Sequence, residues 1–315
     1  MRALLRWLFY LSLAPGLLLL LVYWLAPGRL LDANFAAQAW SAGLSTHSVE
    51  VDGQRWQYAE GGQGEPVLLV HGMAGSKENW YPTARYLSRR YRLIIPDQLG
   101  FGASPDAADG DYRIGRQAQR LSHFAAALGL RRFHLVGHSM GGAIAGIYAA
   151  RYPGQVQTLS LIDSAGVRFQ PNAFTALLER GENPFATESL AKFDAFIAMT
   201  FEHPPFAPRR LRAAYAQRMA VRAELWNRIV REIKSPRSRY LLEPRLKRIQ
   251  APTLVLWCQR DQLIDLSAVE VFRRELPAAN IEILDDCGHM PMMEQPRDTA
   301  ELLLARFGKA GEKRF

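Results

Sequence analysis

Short apolar runs alternate with segments of helical length through most of this chain. Val67–Val70 and Leu93–Pro96 are almost uninterrupted apolar stretches, which are typical of strands buried on both faces of a parallel sheet. The same rhythm continues at Phe133–Val136, Val156–Asp163, Pro252–Trp257 and Asn280–Leu284. Helices are predicted around these strands at Trp80–Leu87, Gly115–Leu128, Ala143–Arg151 and Asp298–Phe307. Strands that alternate with helices predict a doubly wound, mostly parallel sheet.

Two segments depart from this rhythm. Near the start, Ser48–Val51 and Arg55–Tyr58 flank an Asp-Gly pair that suits the turn of an antiparallel hairpin. From residue 167 to about 249 the sequence predicts several helices with proline-rich joints, notably His203–Pro208, and no strand. A helical insertion between two strands of a sheet is most simply a lid over the strand ends, here before the last two strands.

The N-terminal segment has the composition of a membrane anchor. Leu8–Ala26 contains no charged residue, and a segment of about 20 residues is long enough to cross a bilayer as one transmembrane helix. Aromatic residues of the kind found at membrane interfaces lie near its two ends: Trp7, Tyr10, Tyr23 and Trp24. The alternative interpretation is a cleaved signal peptide with Ala37–Ala39 as the cleavage site.

The charges beside this segment predict which side of the membrane the remaining chain occupies. Arg2 and Arg6 precede the span, whereas Arg29 follows it with Asp32 close by. The positive-inside rule therefore places a single-pass protein with its main body on the periplasmic, non-cytoplasmic side. The predicted division is an anchor at 1–30, a linker at 31–47, a core at 48–166, a lid at 167–249, the second part of the core at 250–308 and a tail at 309–315.

The charge of the chain is concentrated in the insertion. Of a net charge of +9, most comes from Arg168 to Arg248, which holds 16 Lys/Arg and eight Asp/Glu. Basicity confined to one segment argues against a nucleic-acid partner. The arginines are either solvated on an ordinary lid or rest on anionic lipid head groups and turn the opening toward the bilayer. Those concerned are Arg209, Arg210, Arg212, Arg218 and Arg222.

A candidate nucleophile follows the central apolar run. Gly137–Gly141 fits the pattern G-x-S-x-G, a strand-to-helix turn so tight that the serine backbone is strained and its neighbours must be small. Such a turn exposes the hydroxyl of Ser139 above the sheet. It also leaves the backbone N–H of Met140, at the start of the next helix, free to bind a developing negative charge.

The chain order of polar residues then selects a base and an acid. A serine nucleophile needs a histidine that a carboxylate orients, and on this kind of sheet the order is Ser, Asp or Glu, His. Only His203 and His289 follow Ser139, and only His289 lies just past a strand. Asp261, four residues after the strand Pro252–Trp257, is the predicted acid, and Asp163 is the alternative.

A second donor for an oxyanion is expected after the first buried strand. Gly72 lets the backbone approach closely, so that the N–H of Met73 can point at the same oxygen as that of Met140. The sequence has none of the histidine and acid spacings of metalloproteases, and we expect neither metal nor cofactor. His71 and His138 are expected to support the site rather than to react.

Several motifs together resemble a known family. They are His71-Gly72, Asp97-x-x-Gly100-x-Gly102-x-Ser104, Gly137–Gly142, Ser238-Arg239-Tyr240, Asp261-Gln262-x-x-Asp265, Cys287-Gly288-His289 and Met293-Glu294-x-Pro296-Arg297. From about Arg55 to Phe307 the chain resembles the α/β-hydrolase superfamily, and more narrowly its membrane-anchored monoacylglycerol lipases and related bacterial lipases. The resemblance implies ester hydrolysis on single-chain lipids, with Ser139, Asp261 and His289 as catalytic triad and Met73 and Met140 as oxyanion donors.

Three functions remain open from the sequence alone. The first is a lipid esterase, the second a hydrolase of carbon–carbon bonds in ring-cleavage products, and the third a non-catalytic receptor on the same fold. Cys258 departs from the family, in which glycine is frequent at this position. Since Cys258 and Cys287 both follow strand ends, a disulfide between them is conceivable, although two cysteines do not make a disulfide framework.

Overall fold

The computed structural model describes residues 15–236 and 238–311. Its strands are β1 Leu44–Val51, β2 Gln54–Gly61, β3 Pro66–Val70, β4 Arg92–Pro96, β5 Phe133–His138, β6 Val156–Ile162, β7 Thr253–Cys258 and β8 Asn280–Leu284. They form one sheet in the order β1-β2-β4-β3-β5-β6-β7-β8. β1 with β2 and β2 with β4 pair antiparallel, and the remaining pairs are parallel. The predicted mostly parallel sheet is therefore confirmed.

Helices cover both faces of this sheet. Those described are α1 Pro15–Leu25, α2 Pro27–Ser41, α3 Tyr81–Leu87, α4 Ile114–Ala127, α5 Met140–Arg151, α6 Ala173–Glu179, α7 Leu190–Thr200, α8 Arg209–Val221, α9 Ala223–Lys234, α10 Ala268–Glu275, α11 Pro291–Glu294 and α12 Pro296–Gly311. Successive residues of a strand point to opposite faces. Thus Leu68 joins the core beneath α4, α5 and α10, whereas Val67 and Leu69 join the core beneath α3 and α12. The continuous apolar runs reflect this burial on two sides.

The hairpin β1–β2 is longer than predicted. Its register pairs Leu44 with Gly61 and Val51 with Gln54, so β1 begins four residues before Ser48. Asp52 and Gly53 both have positive φ, of 50° and 73°. The Asp-Gly turn is as expected, and the exposed residues of β1 explain why its first half lacks an apolar signal.

The N-terminal region differs from the prediction of one transmembrane helix followed by a linker. The predicted span begins at Leu8, so its first part lies outside the described residues. Among those described, no single helix is both long and apolar enough to cross a membrane, although α1 and α2 together meet that requirement with a bend of 116° between them. Residues 31–47 contain most of α2 and the start of β1. Pro27 starts α2, a position where its missing N–H is harmless.

Arginines of α8 hold the first two helices. Arg218 donates to the carbonyl of Gly28 at 2.8 Å and forms an ion pair with Asp32 at 2.8 Å. Arg210 donates to the carbonyl of Trp24 at 2.9 Å, and its guanidinium lies 3.7 Å from the centre of that indole ring. Much of the basic charge on α8 therefore contacts the N-terminal helices of the same chain.

The insertion between β6 and β7 is helical in its described part, comprising α6, α7, α8 and α9. Most of its aromatic side chains point inward: Phe169, Phe174, Phe185, Phe193, Phe196, Phe201 and Trp226. Phe206, in the proline-rich joint, is the exception and is 95% exposed. The insertion thus supplies an apolar layer to the sheet and one outward aromatic residue.

Candidate active site

The turn after β5 forces Ser139 into an unusual backbone conformation. Its φ is 54° and its ψ is −120°, and its N–H donates to the carbonyl of Ile162 at 2.9 Å. The flanking glycines are required by space: a Cβ on Gly137 would lie 2.2 Å from the carbonyl oxygen of Gly141, and one on Gly141 would lie 2.4 Å from that of His71. A strained serine between glycines, at the start of α5, is the geometry that the G-x-S-x-G pattern predicts.

The loops after β7 and β8 bring an acid and an imidazole together. Asp261 Oδ2 and His289 Nδ1 are 2.8 Å apart, and both side chains are almost completely buried. The other carboxylate oxygen accepts the N–H groups of Leu263 at 2.8 Å and Ile264 at 3.0 Å. These bonds fix the orientation of the carboxylate, so the imidazole is held with Nε2 as its free nitrogen.

The backbone of His289 is also held in place. Its N–H donates to the carbonyl of Thr200 at 2.8 Å, and its carbonyl accepts from Nε2 of His138 at 2.7 Å. Burial, together with the neighbouring imidazole of His289, holds the pKa of His138 well below its usual value. A neutral His138 can therefore support the backbone of His289 without adding a second charge to the site.

The loop after β3 approaches the serine closely. A Cβ on Gly72 would lie 2.9 Å from the Cβ of Ser139, so only glycine fits there. His71 Nε2 accepts the N–H of Gln98 at 3.1 Å, which leaves Nδ1 as the donor to the carbonyl of Gly72 at 2.8 Å. Burial lowers the pKa of His71 and keeps this tautomer neutral. The loop that carries Met73 is thus fixed against the strained turn.

The alternative acid, Asp163, has a different environment. Asp163 directly follows β6 with a φ of 42°, and its Oδ1 accepts the N–H of Cys258 at 2.9 Å. Complete burial and then the charge of Asp261 raise its pKa well above the usual range. The structure places Asp261, and not Asp163, against the imidazole. The carboxyl of Asp163 instead serves as an acceptor for the backbone at the end of β7.

Two cavities meet at these residues. The larger, of about 380 Å³, is apolar and runs from Ser139 and His289 between α2, α7 and α8. The smaller, of about 130 Å³, lies beneath α6 and α9 and is lined by Ser139, His289, Met73 and Met140. All five residues predicted for the site are therefore close together, with Asp261 directly behind His289.

The sequence of residues 65–296 matches the family model described as alpha/beta hydrolase fold, which spans β3 to the start of α12. The chain belongs to the α/β-hydrolase family. In this family the arrangement of G-x-S-x-G turn, later acid and final histidine supports serine-based hydrolysis. The identification therefore agrees with the fold and the family expected from the sequence.

Curated relatives and a solved structure narrow the chemistry of this α/β-hydrolase. Lipase 1 of Psychrobacter immobilis is 38% identical over 258 residues, which are 79% of each chain. Human monoacylglycerol lipase ABHD6 is 28% identical over 280 residues, covering 84% of this chain and 83% of the relative. The crystal structure of a bacterial membrane phospholipase A is 38% identical, with a TM-score of 0.87 over 98% of both chains. The chain is a carboxylic ester hydrolase.

The disulfide left open by the sequence is present in this α/β-hydrolase. Cys258 and Cys287 are bonded, with Cα atoms 5.3 Å apart, and both residues are fully buried. Neither the number of cysteines nor their spacing indicates the pairing. The disulfide is indicated only by the position of the two cysteines at strand ends, because parallel neighbouring strands bring their carboxyl ends together.

The sequence did not reveal the supporting roles of three residues. Gln98 donates through its side-chain amide to the carbonyl of His71 at 2.7 Å, in addition to its backbone bond. Thr200 supplies the carbonyl that holds His289. Glu294 accepts the N–H of Gly288 at 3.0 Å. Gln98 follows the end of β4, a position that could have marked it, but nothing in the local pattern marks Thr200.

Proposed function

We propose that this enzyme hydrolyses esters of single-chain lipids, with Ser139 as nucleophile, His289 as general base and acid, and Asp261 as the orienting carboxylate. The observation that supports these roles best is the 2.8 Å contact between Asp261 Oδ2 and His289 Nδ1, beside a cavity that Ser139 and His289 share. This contact leaves Nε2 available for proton transfer, which supports the role that the mechanism of serine hydrolases requires.

The reaction follows from these positions. Ser139 Oγ attacks the ester carbonyl carbon while its proton passes to His289 Nε2, and the N–H groups of Met73 and Met140 stabilise the oxyanion. The C–O bond to the alcohol then breaks as the imidazolium returns the proton to the departing oxygen. Water, deprotonated by His289, then attacks the acyl carbon. The bond to Ser139 Oγ breaks as His289 returns the proton to that oxygen, and the fatty acid is released.

The sizes of the two cavities support a substrate with one acyl chain. The larger cavity, at about 380 Å³, lies within the usual range of roughly 300–1,000 Å³ for small-molecule sites and is lined mainly by apolar side chains. The smaller one, at about 130 Å³, compares with cavities of about 150 Å³ that hold benzene. Glycerol has as many heavy atoms as benzene. We assign the acyl chain to the larger cavity and a glycerol-sized alcohol to the smaller one, as in a monoacylglycerol.

Replacement of Ser139 tests the proposed function. Ser139→Ala removes the nucleophile without adding bulk, so we expect kcat on p-nitrophenyl esters and monoacylglycerols to fall by roughly 10⁶-fold. The thermal unfolding temperature should not decrease, and labelling by a fluorophosphonate should disappear. Substantial turnover by the purified variant would refute the assignment of Ser139.

We further propose that the protein is anchored by one N-terminal span with its catalytic body on the non-cytoplasmic side, and that lipids reach the larger cavity along α2. Leu17 to Leu21 of α1 are between 54% and 64% exposed, which suits contact with lipid. The cavity is lined by Leu30, Leu31 and Phe35 of α2 and by the exposed Phe206. A disulfide is typical of an oxidising compartment, which supports this orientation.

Membrane extraction tests the anchor. Two charged side chains inside the bilayer would strongly oppose its association with α1. The double variant L18D/L20D should therefore move the enzyme from carbonate-washed membranes to the soluble fraction. Val221→Asp is the matched control, since Val221 is 84% exposed but lies on α8 of the insertion. The Val221→Asp variant should remain in the membrane fraction. The unchanged enzyme should remain there at high salt as well. Retention of L18D/L20D would contradict anchoring by α1.

A further inference from the structure

We propose that the Cys258–Cys287 disulfide is a positioning device for the catalytic dyad and holds Asp261 and His289 at the separation that their hydrogen bond requires. Cys258 is the last residue of β7, three residues before Asp261, and Cys287 lies two residues before His289. The bond therefore joins the two loops close to the point at which they leave the sheet. This inference rests on the proposed roles of Asp261 and His289.

The sheet alone gives these loops limited support. The last backbone bonds that join them before the dyad run from the N–H of Gln259 to Leu284 at 2.9 Å and from the N–H of Arg260 to Cys287 at 3.2 Å. β8 is the terminal strand of the sheet, and its side chains are half-buried or exposed, in contrast to the fully buried β7. The loop with the base thus follows the least protected of the parallel strands.

The other contacts fix each loop individually and contribute less to the distance between the two loops. The bonds of Thr200 and His138 to the backbone of His289 link that loop to the insertion and to β5. Arg260 forms an ion pair with Asp286 at 3.2 Å between the two loops, but both side chains are more than half exposed. Exposed pairs of this kind contribute little. The disulfide is covalent and buried, so it sets the distance that these contacts leave adjustable.

A positioning role differs from simple stabilisation, which any disulfide provides by restricting the unfolded chain. Stabilisation changes how much enzyme is folded, whereas positioning changes the turnover of each folded molecule. We therefore expect loss of the bond to lower kcat while KM, set by the cavities, stays nearly constant. Both cysteines are fully buried, so the bond should act permanently and not as a switch.

The experiment compares C258A/C287A with the unchanged enzyme, well below the unfolding temperature of both. Since a displacement of about 1 Å can reduce catalysis by about 10²-fold, and other contacts retain part of the geometry, we expect kcat on p-nitrophenyl butyrate to fall about tenfold. KM should change by less than about twofold. The rate of fluorophosphonate labelling should fall in the same proportion as kcat.

Phe124→Leu is the matched control for lost stability. Phe124 is buried against Trp56 and Tyr58, with ring centres 5.1 and 5.6 Å away, beneath the hairpin. Its truncation should also lower the unfolding temperature, but it should leave kcat unchanged. If C258A/C287A does not fold, C258V/C287A and the unchanged chain produced under reducing conditions are judged by the same criteria.

An unchanged kcat and labelling rate in the folded protein without the disulfide would overturn the proposal and leave the bond as a stabiliser only. This failure is distinguishable from failure of the proposed function. If Ser139→Ala retained turnover, the assignment of the reaction would be wrong. If Ser139→Ala is inactive and the protein without the disulfide is fully active, only the positioning role is wrong.

Discussion

The carboxyl edge of the sheet and the helical insertion border the same cavities but are held by different kinds of contact. At the sheet edge the site is fixed by the strained turn at Ser139 and by hydrogen bonds in the loops after β7 and β8. In the insertion, side chains do so: Phe185 packs against Phe174 and Phe196, with ring centres 5.7 and 5.3 Å away. Because the contacts differ, we expect that substitutions can change the catalytic reaction and the selection of substrate separately. Changes at the sheet edge should affect all esters equally, and changes around the larger cavity should affect some more than others.

Asp261→Asn should have the largest effect in this comparison. An amide in place of the carboxylate reverses the tautomer preference of His289 and no longer stabilises the imidazolium, which in serine hydrolases lowers kcat by about 10⁴-fold. The loss should be the same for esters of short and long acids, because the carboxylate lies behind the imidazole and away from the acyl chain. Steady-state kinetics on a series of p-nitrophenyl esters measures both expectations.

Asp265→Asn provides the matched control for that substitution. Asp265 lies four residues further along the same loop, where its Oδ1 accepts the N–H of Ser267 at 2.9 Å. An amide oxygen can accept the same bond, so its kcat should remain close to that of the unchanged enzyme. A large loss with Asp265→Asn, or a loss with Asp261→Asn that depends on acyl length, would break the separation between reaction and selection.

Leu30→Trp should have a smaller and selective effect. Leu30 lines the larger cavity from α2, and an indole there reduces the space for the end of a long acyl chain. One methylene in an apolar pocket is worth about 10- to 200-fold in specificity, so we expect kcat/KM for a long-chain ester to fall at least about tenfold relative to a butyrate ester. Competition between the two esters measures this ratio directly.

Ala37→Trp is the control on the same helix. Ala37 is exposed and does not line either cavity at the active site. Its indole should leave the ratio of long-chain to short-chain turnover unchanged. If Leu30→Trp reduced the turnover of both esters equally, α2 would not contribute to the acyl site, and the larger cavity would have to be assigned to another group.

The sheet and the dyad were predictable because the physical constraints on them are local or follow chain order. A strand buried on both faces must be apolar throughout, so Val67–Val70 and Leu93–Pro96 could be located closely. The turn at Ser139 tolerates only glycine at positions 137 and 141, so the G-x-S-x-G pattern can be recognised in the sequence. His289 was selected because only two histidines follow the serine and only this one lies just past a strand.

The remaining features depend on contacts between distant segments, which no local pattern records. The sequence of residues 31–47 predicts a linker because α2 has almost no amphipathic pattern, whereas the position of α2 is fixed by Arg218 of α8. The basic charge of α8 was attributed to solvent or lipid head groups for the same reason. Pairing of Cys258 with Cys287 depends on the distance between two strand ends. The cavities are shaped by all of these contacts together.

The smallest expected effect on turnover concerns Asp163, the second acid at the carboxyl edge of the sheet. Asp163 and Asp261 follow neighbouring strands, yet only Asp261 contacts the imidazole. An amide at 163 can still accept the N–H of Cys258, so Asp163→Asn should change kcat by less than about threefold. A loss comparable to that of Asp261→Asn would instead make Asp163 part of the functional acid.

The stability of Asp163→Asn should depend on pH in a defined direction. The folded-state pKa of Asp163 is raised by burial and by Asp261, whereas an unfolded Asp titrates near about 3.9. The wild-type carboxyl therefore destabilises the fold progressively as pH rises from about 4 toward its raised folded-state pKa, and it has no such effect below that window. The difference in unfolding free energy, variant minus wild type, should thus grow across the same window in urea titrations. A difference that is constant with pH would show that Asp163 ionises as an ordinary carboxyl, and the contrast between the two acids would disappear.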